Sequence, residues 1–553
     1  MSIYTQVSTL ILGHIAFLYT QGKYEETDLL KHVKKILKNN LDKYELDSSN
    51  NTLFSSVEYS SEDFQLAIST VNEKESRRKK EGVYYTGHDL TNYIVANSFL
   101  HHIYPEESNV YSYETAVNKI LAAGKEKVTS LINASIYDPT CGAGEFLISA
   151  LELKIALSNH YDITSLRDIV STIHGNDIYD VSTDITKLRI YFHAINTRPL
   201  QADELALSTI LNKNFTNIDA VANVPKKSVK YDIILGNPPY VEYRNYPGTV
   251  THEYGNVYAD VLDNAINCLA KDGILSFVIP LSYVSTIRMN SIREHIASQT
   301  SKQIVLNFAD RPDSLFSSVH QKLTVVFAQK STNKPILLSS GYNYWYQNER
   351  VDLFNKITVY PVEHITEEYI PKIGNATEST LYKKISSFSG ESIICTASNA
   401  TTGHIYLNQR ACFWIKAFLS EKLSSSYVKL PIKENYAPFV FCLLNSSLFF
   451  LLWIIISDGW HITNKELSFI KVPSDIGDKK KWKSLSKELE DELEETKVYV
   501  GTKQVDYEYK HKFCKSIIDK IDDELATIYG LNEEETKYIK NFALKYRMSD
   551  VAQ

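Results

Sequence analysis

Between about residues 81 and 330, short apolar runs alternate with longer segments whose apolar positions recur at helical spacing. Strands that alternate with helices in this way form a mostly parallel sheet with helices on both faces. The sequence therefore predicts a doubly wound α/β domain. The predicted strands lie near 134–138, 173–177, 232–236, 274–279, 303–308 and 322–328, and the clearest predicted helices span 145–159 and 257–270.

The chain is divided by its changing composition into four regions. Its 553 residues exceed what one compact core normally holds, so several domains are expected. Residues 1–80 show helical spacing, and the α/β domain is placed at 81–335. Residues 340–475 are irregular and rich in Ser, Thr, Asn and aromatics, which predicts a separate domain. The charged segment 476–553 predicts C-terminal helices that either pack on the core or bind another subunit.

Composition and cysteine usage exclude several classes of protein. Apolar residues at 44% and charged residues at 23% are ordinary globular values, which rules out a wholly disordered chain. The six cysteines show no CxxC spacing, so we expect neither a disulfide framework nor a zinc or other metal site. No charged segment precedes the first apolar stretch, so secretion is not expected. A reduced, cytoplasmic location is the default expectation.

One uncharged stretch, residues 435–457, nominally reaches the length of a membrane span. Asn445, Ser446 and Ser447 interrupt it in the middle, and such residues favour the start of a helix. We therefore predict two short buried helices that meet at this cap, and no membrane contact.

The charge is unevenly distributed. The whole chain carries a formal net charge of -7, whereas residues 281–440 hold 17 Lys and Arg against 12 Asp and Glu, a net of +5. A mildly basic middle region allows one nucleic-acid face without requiring it.

A glycine-rich turn follows the first predicted strand. Asp138 ends the apolar run, and Gly142 and Gly144 precede a predicted helix. Glycines there let a ligand approach the backbone at the carboxyl edge of the sheet. The third glycine of a dinucleotide motif is missing, and Glu145 would oppose a pyrophosphate. The turn thus favours a ligand with an amino group, such as S-adenosylmethionine, over NAD.

The second predicted strand ends in His174-Gly175-Asn176-Asp177. An acid at the tip of this strand can accept hydrogen bonds from both ribose hydroxyls of an adenosine that lies over the sheet edge. Asp177 is therefore a candidate ribose ligand.

The strongest motif is Asn237-Pro238-Pro239-Tyr240, which follows the predicted strand at 232–236. The prolines fix the backbone beside the amide. The side-chain carbonyl of Asn237 and the main-chain carbonyl of Pro238 can together accept both hydrogens of an exocyclic amine. Tyr240 can stack on the ring that carries that amine.

Three motifs together resemble the gamma-class amino-methyltransferases of DNA, particularly the N6-adenine enzymes of restriction-modification systems. They are Gly-Val-Tyr-Tyr-Thr at 82–86, Asp-Pro-Thr-Cys-Gly-Ala-Gly at 138–144, and Asn-Pro-Pro-Tyr at 237–240. The resemblance covers roughly residues 80–330. It implies a Rossmann-like sheet that binds S-adenosylmethionine, and it extends to 340–475 only as a general similarity to target-recognition domains.

The resemblance also implies roles for individual residues. Tyr85 and Thr86 would close over the methionine part of the cofactor, although Gly87 replaces the proline usual after Tyr-Tyr-Thr. Asp177 would hold the ribose and Asp219 would read the adenine. The residues implied to line the cofactor are Asp138, Thr140, Gly142 and Gly144.

For the target base, the resemblance implies that Asn237, Pro238 and Tyr240 bind it while Phe316 stacks on its opposite face. An amine inside a duplex cannot be reached, so the base must swing out into such a pocket. Double-stranded DNA is the expected substrate, and a partner restriction subunit is compatible with this interpretation. The candidates for contacts with flanking bases are Trp345, Lys383, Lys384, His404, Arg410, Trp460 and His461.

Three alternatives to N6-adenine methylation remain open at this point. N4-cytosine methylation asks the same of residues 237–240, because both bases present an exocyclic amine. Methylation of a protein glutamine amide also uses this tetrapeptide, although the long region after Phe327 argues against it. The third is a noncatalytic DNA-binding subunit, against which the complete tetrapeptide argues.

Overall fold

The computed structural model describes most of the chain. The described residues are 2–22, 24–46, 86–163, 165–197, 207–222, 229–250, 252–316, 320–330, 335–363, 366–394, 403–422, 424, 426–501 and 507–549.

Nine strands form one large sheet. Its spatial order is β3-β2-β1-β4-β5-β7-β6-β8-β9. The strands are β1 (Ile136–Asp138), β2 (Ile173–Asn176), β3 (Phe215–Thr216), β4 (Tyr231–Gly236), β5 (Leu269–Pro280), β6 (Lys302–Phe308), β7 (Leu323–Gln329), β8 (Ile336–Asn343) and β9 (Val359–Pro361).

Strand direction agrees with the predicted doubly wound sheet. β3, β2, β1, β4 and β5 are mutually parallel, whereas β7 runs antiparallel to both β5 and β6. The chain order reverses between β1 and β4, so the carboxyl ends of these two strands flank the crevice where doubly wound sheets bind ligands. All six predicted strands are confirmed to within a few residues.

Helices cover both faces of this sheet. α3 packs on α6 and β5, whereas α1 and α2 dock near α8 through the Tyr44 hydroxyl, which donates to Asp184. The helices up to the end of β6 are α1 (Ile3–Thr20), α2 (Glu26–Ile36), α3 (His88–Ile103), α4 (Tyr113–Leu121), α5 (Lys125–Asn133), α6 (Glu145–Tyr161), α7 (Leu166–Ser171), α8 (Asp180–Thr197), α9 (Leu207–Asn214), α10 (Val257–Asn267), α11 (Ser282–Ser285) and α12 (Asn290–Gln299).

The large sheet continues past the expected boundary at residue 335. β8 pairs in parallel with β6, and β9 pairs with β8. Their short, mixed sequences lack the continuous apolar run of a central strand, which is why the sequence did not single them out. A separate C-terminal domain beginning near residue 340 therefore stays a prediction.

Beyond β9, small sheets and helices follow. β11 pairs with β12 and β13, β10 with β14, and β15 with β16. These elements are α13 (Ala376–Ser386), β10 (Glu391–Ser392), β11 (Gly403–Asn408), β12 (Ala417–Phe418), β13 (Tyr427–Ile432), α14 (Ala437–Asn445), α15 (Ser447–Ile456), α16 (Asn464–Phe469), β14 (Lys471–Val472), α17 (Lys479–Glu495), β15 (Val498–Tyr499), β16 (Tyr507–Glu508), α18 (Lys515–Tyr529), α19 (Glu533–Asn541) and α20 (Leu544–Arg547).

The uncharged stretch folds as the predicted pair of buried helices. Ser446 caps α15 by accepting a hydrogen bond from the Phe449 N–H at 3.0 Å, and the two helical segments meet at 66°. Among the described residues no single helix is long and apolar enough to span a bilayer, and this bent pair meets the criterion only by length and composition.

Candidate active site

The carboxyl ends of β1 and β4 bring two of the predicted motifs together. β1 ends at Asp138, and β4 ends at Gly236. A Cβ atom built on Gly236 would lie 3.0 Å from Asp138 Oδ1, so the glycine lets the buried carboxyl sit directly against the neighbouring strand. The cofactor motif and the Asn-Pro-Pro-Tyr motif are thus adjacent at the sheet edge.

The turn after β1 is shaped by its glycines. Gly142 has φ +54 and Gly144 has φ +88, a left-handed conformation that side chains rarely adopt. A Cβ atom on Gly144 would meet the Thr186 side chain at 2.6 Å, whereas one on Gly142 would meet nothing within 4 Å. The Thr140 hydroxyl is buried without a hydrogen-bond partner among the described residues. The turn therefore has open space beside Gly142 and an unsatisfied polar group, as a ligand site requires.

Two carboxyl groups face this turn. Burial raises the pKa of Asp138 to about 8; the Thr140 N–H, 2.9 Å from Oδ1, opposes the rise and nearby Asp177 adds to it. Burial likewise raises the pKa of Asp177 to about 6, against hydrogen bonds from the N–H groups of Tyr179 and Gly142. Both groups hold protons more tightly than ordinary carboxyls, because their surroundings disfavour uncompensated negative charge.

Asn176 ties the ends of three strands together. Its side-chain N–H₂ donates to the carbonyls of Pro139 and Ile218, each at 2.9 Å. Its side-chain oxygen accepts from the Ile218 N–H and the Thr216 hydroxyl. Sequence reasoning missed this residue, although an amide next to a candidate ribose ligand at a strand tip is a usable signal.

The first turn of α6 differs from the sequence argument. Glu145 forms an ion pair with Arg189, which is almost completely buried and also donates to the Ala143 carbonyl. The negative charge that was expected to repel a pyrophosphate is therefore balanced by a cation from α8. A distant arginine partner cannot be seen from the local motif, so this reason for preferring S-adenosylmethionine over NAD carries less weight.

The Asn-Pro-Pro-Tyr motif adopts a compact geometry. The Asn237 side-chain N–H₂ donates to the Thr86 hydroxyl at 3.1 Å, and the Tyr240 hydroxyl donates to Asn237 Oδ1 at 2.5 Å. The same hydroxyl lies 3.0 Å from the Val278 carbonyl oxygen at the end of β5. Thr86, from the first motif, is thus brought into contact with the catalytic candidate. Tyr85 lies outside the described residues.

Phe316 lies against Tyr240. The two rings are stacked with centroids 6.4 Å apart and an interplanar angle of 23°. A planar ring that stacks between two others requires about 7 Å between their faces, so these rings would have to separate by at least about half an ångström to admit one. Phe316 is 1% exposed, which means that neighbouring side chains must part for entry.

Asp219 has a partner on the loop that follows the tetrapeptide. Its Oδ1 accepts from the Val221 N–H at 2.9 Å, and its Oδ2 accepts from the Tyr246 hydroxyl at 2.6 Å. No local pattern marks Tyr246 in the sequence, because its pairing with Asp219 depends on how the loop folds back.

The candidates for flanking-base contacts separate into two groups. Trp345 is buried in the core, and Lys383 and Lys384 form ion pairs with Glu363 and Glu535. Three of the other candidates lie together: Arg410 pairs with His461 as an isolated β-bridge, beside the half-buried Trp460. His404 lies on β11, apart from this pair, opposite Pro431. Within the described part of the chain, no His, Cys, Asp and Glu side chains cluster as a metal ion would require.

Comparison with known proteins assigns part of the chain. Residues 171–315 match the Eco57I restriction-modification methylase family. This segment runs from just before β2 to just before Phe316 and includes Asp177, Asp219 and the tetrapeptide. A relative, the modification methylase CviBIII of Paramecium bursaria Chlorella virus NC1A, is 31% identical over 134 residues, which are 23% of this chain and 34% of that protein. The chain thus matches about a third of the length of this curated relative.

Solved structures resemble the methylase segment together with its surroundings. The Type IIL restriction-modification enzyme MmeI in complex with DNA has a TM-score of 0.52 at 13% identity, covering 90% of this chain and 82% of that one. The nuclease-deletion mutant of the Type ISP enzyme LlaGI, in complex with a DNA substrate mimic, has a TM-score of 0.48 at 12% identity, covering 87% and 54%. At these identities the likeness to MmeI concerns the fold alone.

Proposed function

We propose that this protein transfers a methyl group from S-adenosylmethionine to the N6 amine of an adenine in double-stranded DNA. One observation carries the proposal: Asn237, next to Thr86 and Tyr240, lies at the switch point of a doubly wound sheet, within a segment that matches a restriction-modification methylase family. Asn237, Pro238 and Tyr240 are proposed as the catalytic residues.

The residues at the β1 turn fit S-adenosylmethionine. The orphaned hydroxyl of Thr140 and the open space beside Gly142 are available to a ligand. Asp138 and Asp177 offer carboxyl groups to its ammonium group and ribose, and Asp219 is proposed to take its adenine amine. When bound, S-adenosylmethionine supplies an electrophilic methyl group on a sulfonium.

The tetrapeptide acts on the target amine by orientation. The carbonyl oxygens of Asn237 and Pro238 accept the two N–H groups, which directs the nitrogen lone pair toward the methyl group. A carbonyl oxygen accepts two hydrogen bonds, so the contact from Tyr240 does not exhaust Asn237. Holding the two reactants in line lowers the activation free energy by several kcal/mol, and no covalent enzyme intermediate is needed.

The two rings hold the base that is flipped out of the duplex. Tyr240 and Phe316 present parallel faces, and stacking contributes about 1 to 3 kcal/mol per base. This pocket also fits cytosine, whose N4 amine makes the same demand, so N4-cytosine methylation is the second outcome that the test distinguishes.

The test incubates the purified protein with labelled S-adenosylmethionine and genomic DNA and identifies the modified base by mass spectrometry. We expect N6-methyladenine with the wild type. Asn237→Ala should lower the rate at least about 100-fold and largely keep cofactor binding by calorimetry.

The matched control is Lys487→Gln, an exposed residue of α17 that should leave the rate unchanged. Unchanged labelling by the Asn237 variant would refute the mechanism. N4-methylcytosine as the product would refute adenine specificity, and label found only in protein would refute DNA as the substrate. A partner restriction subunit remains a proposal that co-purification tests.

A further inference from the structure

We propose that Arg311, Lys322 and Trp460 form a phosphate-binding patch that holds the DNA backbone beside the flipped base. The inference rests on the proposed function and names a surface for its substrate. It combines residues of the sheet edge with a turn from the C-terminal part of the chain.

The patch lies at the same sheet edge as the tetrapeptide. Lys322 immediately precedes β7, and its carbonyl accepts a hydrogen bond from the Leu281 N–H just after β5. β5 also supplies the Val278 carbonyl that contacts Tyr240. Arg311 stands on the loop that leads from β6 to Phe316. Both cations are therefore attached to segments that carry the proposed base pocket.

Both cations face one indole ring. The Arg311 guanidinium lies 5.7 Å and the Lys322 ammonium 4.9 Å from the Trp460 ring centre. Lys322 forms an ion pair with Asp310 at 3.1 Å. Arg311 forms no ion pair within the described residues, and its Nε–H is shielded from water without an acceptor there. Arg311 as a whole is only partly buried, so the outer N–H groups of its guanidinium remain available to a phosphate oxygen.

Trp460 is held in place by a tight turn. Asp458 accepts hydrogen bonds from the N–H groups of Trp460 and His461 and from the His461 ring. Gly459 has φ +69, and a Cβ atom there would meet the Tyr342 hydroxyl at 2.8 Å. The indole is thus a fixed platform, so the two cations above it are positioned in advance.

The charges around the ring favour an anion. Exposed Arg410 lies at the bridge to His461, the residue next to Trp460, and adds a third cation to this region. Asp310 pairs with Lys322, and the Asp458 carboxylate accepts hydrogen bonds from its own turn, so within the described residues Arg311 is a cation without an acid partner. A guanidinium on an aromatic face keeps its edge N–H groups for a phosphate, which a hydrated lysine cannot imitate in the same geometry.

The experiment measures the salt dependence of binding to a fluorescein-labelled random-sequence DNA duplex by anisotropy. Each phosphate contact that is lost lowers the slope of log K against log salt by about 1. We expect this reduction for Arg311→Gln and for Lys322→Gln, and about twice as much for the double variant. Arg311→Lys keeps the charge and should keep the slope, but it should lower the affinity at each salt concentration because the guanidinium geometry is lost.

Lys487→Gln is the control for a lysine outside the patch, and cofactor affinity and thermal melting confirm that each variant is folded. Slopes equal to the wild type in both glutamine variants would overturn the patch while leaving the proposed function intact. A wild-type protein without measurable DNA binding would overturn the proposed function itself, and the patch with it.

Discussion

At the scale of single residues, Asp138 shows how a residue that is proposed to bind a ligand can lower the stability of the folded protein. Its carboxyl is 1% exposed and lies against Gly236, and among the described residues it accepts a hydrogen bond from one main-chain N–H, that of Thr140. Burial raises its pKa to about 8, well above the ordinary value near 3.9. An unfolded chain therefore releases this proton at a lower pH than the folded protein does.

Asp138→Asn should stabilise the cofactor-free protein increasingly as pH rises. The Asp138 carboxyl makes its full contribution to the free energy of unfolding below pH about 4. This contribution is lost as the pH rises toward about 8, at up to about 1.4 kcal/mol per pH unit. The difference in melting temperature between variant and wild type should grow across this window. The exposed Asp42 serves as the matched control, since Asp42→Asn should show no such growth; a constant difference for Asp138→Asn would contradict the prediction.

Cofactor binding should release a proton from Asp138 near pH 7. Under the proposed function, the positive charge of S-adenosylmethionine favours the ionised carboxyl, which burial disfavours. Calorimetry in two buffers of different ionisation heats measures the release. We expect it to approach one proton in the wild type and to disappear in Asp138→Asn, which should also bind more weakly. Equal binding heats in both buffers for the wild type would oppose this account.

At the scale of elements, the loop between the tetrapeptide and α10 is fastened by three tyrosines. Tyr243 donates to Asp260 and Tyr254 to Asp263, each at 2.5 Å, while Tyr246 reaches Asp219. A bridge between Glu242 and Asn256 closes the base of the loop. These contacts join distant residues, so no local pattern predicts them. By contrast, the Ser446 cap was predicted because a cap is local chemistry.

Tyr243→Phe should lower the free energy of unfolding by about 1–3 kcal/mol, because it removes a donor from the fully buried Asp260 carboxyl. Denaturant unfolding measures the change. Tyr19→Phe changes an exposed tyrosine on α1 and should stay within about 0.5 kcal/mol of the wild type. Equal stabilities of the two variants would show that the hydrogen bond contributes little.

At the scale of the whole molecule, the sequence predicted six strands of the sheet but not β3, β8 and β9, which lie toward its two edges. The predicted strands are apolar runs that become buried, and β6 and β7 are buried along their whole length. β8 joins the sheet by pairing with β6, and β9 joins it by pairing with β8; both pairings depend on tertiary contacts. The predicted order of motifs placed Asp138, Asp177 and Asn237 at one edge, because parallel strands end together. The hydrogen bonds made by Asn176 and Tyr246 became visible only in the folded chain.

The C-terminal end is joined to the body through Arg547. Its guanidinium lies 3.9 Å from the Trp414 ring centre and 4.4 Å from that of Phe450, and its Nε–H donates to the Phe413 carbonyl. Arg547→Ala should lower the free energy of unfolding by about 2 kcal/mol or more. Met548→Ala, a change of the exposed neighbour, should have little effect on the melting temperature. A melting temperature equal to the wild type for Arg547→Ala would contradict this anchoring role.

The hydrogen bond from the Tyr240 hydroxyl to Asn237 has a consequence for substrate choice under the proposed function. The phenol hydroxyl already occupies one of the two acceptor positions of Asn237 Oδ1, so an arriving N–H group takes the other position. Thymine presents a keto oxygen at that position. This oxygen would face the side-chain oxygen of Asn237, so thymine would be excluded. Discrimination against such bases would thus be built into the resting enzyme before any neighbouring nucleotide is read.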